Sequence, residues 1–184
     1  MSPKRAPEAF VSSALFEVGM GTVILSRFKS EGRVESGVFL LDAFCLGVKD
    51  ATFVQLDVTR HEKQLLEGYS AQDPLEPIEP ACARKLIEDA VRYAAGLGFQ
   101  PHPDYKRACR VFGGTDPSAC TRQFVFGDQG KPSYIQGPSD SPQRVARILE
   151  TLRTRCGEGN FTFTLLDDDL QDFPDDPEWD TEPE

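Results

Sequence analysis

T-V-I-L-S-R-F (residues 22–28) and V-E-S-G-V-F-L-L (34–41) are joined by the polar K-S-E-G-R (29–33). β-Branched and aromatic residues dominate both runs, and a short polar joint between two such runs predicts a β-hairpin. Upstream, residues 10–18 read as a further strand before the G-M-G break at 19–21. Downstream, A-F-C-L-G-V-K-D-A-T-F (43–53) is too apolar for a surface loop. It fits either a third strand broken at Gly47 or a buried crossing segment, and the pattern leaves both open.

Beyond the β region, residues 61–68 suit a short helix. In D-P-L-E-P-I-E-P (73–80) the prolines fall three apart, which implies an extended connector. Pro80 is suited to the first turn of the following helix. In that helix Ala83, Leu86, Ile87, Ala90, Val91 and Ala94 form one apolar stripe. The opposite face offers Lys85–Asp89 and Glu88–Arg92 as i,i+4 pairs, and Gly96 and Gly98 end the helix. P-H-P-D (101–104) opens a shorter helix to about Phe112. Residues 123–126 and 132–136 flank G-D-Q-G (127–130), which predicts a second hairpin. Ser141 and Pro142 begin a third helix, Gly157 lies just past its end, and F-T-F-T-L-L (161–166) reads as a last strand.

The order is that of an α+β fold: an N-terminal antiparallel β meander, a helical middle, and a β-hairpin–helix–strand C-terminal part. The expected divisions are a β lobe at 1–70, a connector at 71–80, an α+β lobe at 81–166 and an acidic tail, disordered or docked, at 167–184. The stretch G-V-F-L-L-D-A-F-C-L-G-V-K-D (37–50), with G-L-G-F-Q-P-H-P-D-Y (96–105) and C-G-E-G-N-F (156–161), resembles an uncharacterised family of bacterial proteins. The resemblance covers much of residues 20–166. It implies a bacterial cytosolic domain and carries neither an activity nor a site residue with it.

Charge is distributed unevenly. The net charge of -10 comes from 20 Lys+Arg against 30 Asp+Glu. Ten of those acids, and no base, lie in residues 167–184, so the remaining body is balanced. Ten like charges in eighteen residues repel one another, the pattern of a solvated end. Leu170, Phe173 and Trp179, the last the only tryptophan, add apolar anchors that suit docking on a basic, apolar groove. That groove could belong to a partner or to this chain.

Five cysteines, Cys45, Cys82, Cys109, Cys120 and Cys156, include no C-x-x-C pair and no zinc spacing. The expectation is reduced thiols in a cytoplasmic protein. The longest apolar stretch, residues 37–48, is twelve residues and includes Asp42, too short to span a bilayer, and the charged start lacks the apolar core of a secretory leader.

On the third helix Arg144, Arg147 and Arg155 share one arc beside the core face, with Thr151 completing the stripe. Guanidinium groups in a row suit phosphate or carboxylate. With Tyr134, Phe124 and Phe126 as stacking rings, the stripe suits RNA or single-stranded DNA, although a body without net positive charge weighs against that. Asp42, Asp50 and Asp57 raise a hydrolase that holds a divalent metal at strand ends, without a supporting motif. His102 with Cys109 is a conceivable base and nucleophile, but His102 between two prolines suits an entry turn. The reading that follows is a non-catalytic cytosolic binding or regulatory module. It acts through protein–protein contacts, with the tail as a docking or autoinhibitory element, and no cofactor, metal or membrane is called for. Nucleic-acid binding through the basic helix 142–156 is the alternative, and the hydrolase is the second.

Overall fold

A computed structural model describes residues 5–166. Five strands form one antiparallel sheet: β1 (Glu8–Ser12), β2 (Met20–Phe28), β3 (Arg33–Asp42), β4 (Gly47–Asp57) and β5 (Leu75–Ile78), in the order β4-β3-β2-β1-β5. The expected hairpin is its centre, with Thr22 opposite Leu40 and Phe28 opposite Val34. The run 10–18 is not one strand. β1 ends at Ser12, and α1 (Leu15–Val18) is a single turn closed by Gly19 at φ 81°, because the chain must reverse to pair β1 with β2. The proline-spaced segment is extended, as its composition requires, and its residues 75–78 pair with β1 at the sheet edge.

Alternation on β2 and β3 sends Val23, Leu25, Phe39 and Leu41 to one face and Ile24, Ser26, Ser36 and Val38 to the other. Both faces are covered, which explains why these strands read as nearly continuous apolar runs. The first face packs under α4 (Pro80–Gly96), where Ala83, Leu86, Ile87 and Ala90 are buried. Polar pairing on this helix differs from the expected scheme. Arg84 Nε meets Glu88 Oε1 at 2.8 Å, Arg92 pairs with Asp89, and Lys85 donates to the Arg122 carbonyl. The i,i+4 rule is met by Arg84, one residue earlier, because Lys85 reaches across to the neighbouring loop. Above the second face lie α2 (Val58–Arg60), a π-helical turn (His61–Leu66) and α3 (Glu67–Ser70), with Leu65 packed on Ile24 and Val38.

The 43–53 ambiguity resolves as a tight β3–β4 turn followed by a strand. Asp42 Oδ1 accepts the amides of Phe44 (3.0 Å) and Cys45 (2.8 Å), which folds the turn. Gly47 sits at φ 69°, and a Cβ there would lie 2.7 Å from Ala94 Cβ, so α4 can press directly on the strand start. Ala43 and Phe44 enter the core under α4, whereas Cys45 and Leu46 enter a second core. The turn therefore joins the two.

That second core belongs to β6 (Ser133–Ile135), α6 (Pro142–Cys156) and β7 (Thr162–Thr164). Val145, Ile148, Leu149 and Leu152 of α6 cover Tyr134 and Phe161. The expected second hairpin is corrected here. The 127–130 turn forms, with Asp128 and Lys131 exchanging backbone bonds of 2.8 and 2.9 Å, but residues 123–126 are not a strand. Phe124 and Phe126 turn into the main core instead, stacked on Phe16 and Tyr93. β6 pairs in parallel with β7, which needs a crossover of a dozen or more residues, and α6 supplies it.

Between α4 and α6 run the short α5 (Tyr105–Ala108) and 3-10 turns at Cys109–Phe112 and Pro117–Ala119. The expectation of five reduced thiols fails at one pair. Cys82 at the start of α4 is disulfide-bonded to Cys120, with Cα atoms 4.9 Å apart, leaving Cys45, Cys109 and Cys156 free. Packing of the Pro117–Ala119 turn against α4 buries both residues in the main core and brings them within bonding reach, which spacing alone did not reveal. A cytoplasmic placement drawn from reduced thiols loses that support. Among the described residues no helix is long and apolar enough to cross a membrane.

Candidate anion-binding cleft

Lys49 is the extra residue of a bulge in β4, between Val48 opposite Leu41 and Asp50 opposite Leu40, and its ammonium reaches the start of α6. Across from Lys49, Ser141 caps α6 by accepting the Arg144 amide, and Pro142 occupies the first helical position. This cap sets the rotation of the helix. Val145, Ile148, Leu149 and Leu152 turn inward, and Arg144, Arg147 and Thr151 turn toward Lys49. The loop 98–103 closes the third side, pinned where the His102 amide donates to the Val48 carbonyl at 3.0 Å. The result is a cleft of about 470 Å³ with a floor of Val48, Phe99 and Ile148 and a rim of Lys49, Arg144, Arg147 and His102.

One acid organises this rim. Asp140 precedes the α6 cap and accepts from the Tyr134 hydroxyl and the Gly137 amide, each at 2.9 Å. Arg144 Nε lies 2.9 Å from its Oδ1, and Lys49 Nζ lies 3.9 Å from its Oδ2. Burial alone would raise the Asp140 carboxyl, but the Gly137 amide, the Tyr134 hydroxyl and the two cations outweigh it and hold the group below the usual carboxylate range. Lys49 and Arg144 are thereby oriented and partly neutralised. Arg147, exposed one turn along, has no carboxylate partner among the described residues.

The structure thus brings Arg144 and Arg147 together with Lys49. Arg155 lies beyond them, packed on the 97–100 loop, where a Cβ on Gly98 would come within 3.2 Å of its Nε. Tyr134 is a correction. It is 0% exposed beneath α6, with its hydroxyl spent on Asp140, so it offers no ring to a base. Its strand position points it into the second core, and burial together with the Asp140 carboxylate pushes its phenol up. Leu170, Phe173 and Trp179 lie outside the described residues. Lys49 was missed because its sequence neighbour Asp50 suggests a surface pair, whereas its partner in space is nearly a hundred residues away.

The three aspartates have separate settings. Asp42 is 3% exposed and spent on the turn amides; its burial pushes the carboxyl up against those bonds. Asp50 is exposed, accepts the Ala51 amide, and lies 3.8 Å from His102 Nε2. Asp57 caps α2 through the Arg60 amide at the far end of β4. Among the described residues no group of three or more His, Cys, Asp or Glu side chains could hold a metal ion. His102 accepts the Asp104 amide on Nδ1 at 3.2 Å, the entry turn its proline neighbours suggest.

A second polar constellation, unmarked in the sequence, lies under the π-helical turn. Ser26 Oγ is 2.8 Å from both Ser36 Oγ and His61 Nε2, and His61 Nδ1 is 3.7 Å from Glu8 Oε1. The order resembles nucleophile, base and acid. Yet Ser26, Ser36 and His61 are all 0% exposed, so no substrate reaches them and the group ties the π-helical cover to the sheet. Burial holds His61 below its ordinary value, hence neutral.

Comparison with protein families, with curated proteins and with solved structures finds no match to the chain.

Proposed function

We propose that the protein is a non-catalytic binding module that takes acidic segments of protein partners into the cleft between β4, α6 and the 98–103 loop. One observation carries this reading. Three cations from two distant parts of the chain converge over an apolar floor, and one of them, Arg147, has no carboxylate partner among the described residues. A partner segment with acids flanking an aromatic or aliphatic residue satisfies both halves of that surface. Charge provides the encounter, and apolar burial against Phe99 and Pro103, which are open to solvent, adds affinity. The same arginines would serve nucleic acid, but the ring read as its stacking platform, Tyr134, is buried.

The test is calorimetric titration of an acidic, aromatic-containing peptide into the full chain and into an Arg144→Ala/Arg147→Ala double variant. Binding by the parent that weakens with salt and disappears in the variant is the expected outcome. Equal binding by both would refute the cleft as the site. A single-stranded RNA that binds the parent while the peptide does not would move the reading to nucleic acid.

A further inference from the structure

We infer that the resident occupant of the cleft is the chain's own segment 167–184, docked in cis so that a partner must displace it. This rests on the reading of the cleft as a site for acidic segments and adds its regulation.

The point of exit is the first ground. The described chain ends at Leu166, whose amide donates to Gln136 Oε1 at 3.0 Å, while the Gln136 amide donates to the Thr164 carbonyl at 2.9 Å. Gly137, the next residue, is so close to the rim that a Cβ there would lie 3.3 Å from Lys49 Nζ. The tail therefore starts roughly three residue lengths, about 10 Å, from the Lys49 ammonium. Eighteen residues reach up to roughly 60 Å when extended. A covalent tether of this kind sets a local concentration on the order of millimolar, so even a weak intramolecular contact is well populated.

Complementarity is the second ground. Residues 167–184 carry ten acids and no base, against a body whose charges balance. Lys49, Arg144 and Arg147 gather part of the body's positive charge at the place the tail leaves. Leu170, Phe173 and Trp179 are spaced among those acids as apolar anchors for Phe99, Pro101 and Pro103, the apolar lining of the cleft that is open to solvent. Beside the exit, on β6, on β7 and just after it, Ile135, Phe163 and Leu166 are exposed at 39%, 46% and 47%, apolar surface that an adjacent segment would cover.

The test uses full-length chains and a fluorescein-labelled peptide of residues 167–184 as the probe, read by anisotropy at concentrations where the chain is monomeric. Wild type is compared with a tail-neutralised chain, in which all ten acids of residues 167–184 are replaced (each Asp→Asn, each Glu→Gln), and with that chain carrying Arg147→Glu in addition. The expected result is probe binding at least tenfold tighter to the tail-neutralised chain than to wild type, and lost with Arg147→Glu. Equal affinity for wild type and the tail-neutralised chain would overturn docking in cis while leaving the cleft reading intact. No binding to the tail-neutralised chain, or binding unchanged by Arg147→Glu, would overturn both.

Discussion

The Ser26–Ser36–His61–Glu8 group and the Lys49–Asp140–Arg144–Arg147 group are built from similar materials and differ in access. Each joins two elements through short polar contacts, and each holds a titratable group away from its ordinary value. Under the π-helical turn every hydroxyl and the imidazole are sealed at 0% exposure, with Glu8 Oε1 and His61 Nδ1 left without a hydrogen-bond partner. At the cleft the buried carboxylate is surrounded by cations that still open to solvent. Residue types that suggest catalysis form a structural tie in the first case, and in the second a routine surface helix leaves its cations open to solvent, the face we propose for recognition. Access decides the role.

Stability and binding should separate along this line. The largest change is expected from neither group. Reducing Cys82–Cys120, which closes a loop with a sequence separation of 38, should cost about 4 kcal/mol in chemical denaturation while three thiols titrate without reductant. Five free thiols in the unreduced protein would remove the cross-link. Next, His61→Ala should cost about 3 kcal/mol, because it empties a sealed site and strands the Ser26 hydroxyl, yet leave acidic-peptide affinity unchanged. A loss of affinity in a fully folded variant would show that the two regions are coupled.

Asp140→Ala should cost about 2 kcal/mol by leaving the Tyr134 hydroxyl unpaired, and should tighten acidic-peptide binding by releasing Lys49 and Arg144. The pH dependence is smaller. His61 titrates below its unfolded value of 6.5, so its contribution is complete above that pH and declines as pH falls below it, since the unfolded chain then binds the extra proton. Denaturation at pH 7 and pH 5 should show this decline, and His61→Gln should remove that part of it. Smallest in stability is Arg147→Glu, within about 0.5 kcal/mol for an exposed position, although its effect on peptide binding should be at least tenfold.

The hairpin of β2 and β3 was legible because runs rich in β-branched and aromatic residues on both sides of the polar residues 29–33 leave little else for them to form. α4 and α6 were legible from Pro80, from the Ser141 cap and from their apolar stripes. The parallel pairing of β6 and β7 was not, since three-residue strands carry no period and the glycines at 127 and 130 imitate a hairpin signal. The π-helical turn that buries His61 has no side-chain signature distinct from a short α-helix. At the cleft, the arginine arc on α6 was visible from the wheel, whereas Lys49 and Asp140 acquire their roles only when β4 meets α6 in space. Tyr134 read as a surface ring because its alternation along β6 spans too few residues to tell inside from outside.

The most direct measurement is acrylamide quenching of Trp179, the only tryptophan in the chain, in full-length wild type and in full-length Arg147→Glu. If the cleft holds acidic segments and its own tail is the first of them, Trp179 in wild type is shielded and Arg147→Glu raises quenching to that of the free 167–184 peptide. Quenching equal to the free peptide in both chains would contradict the account.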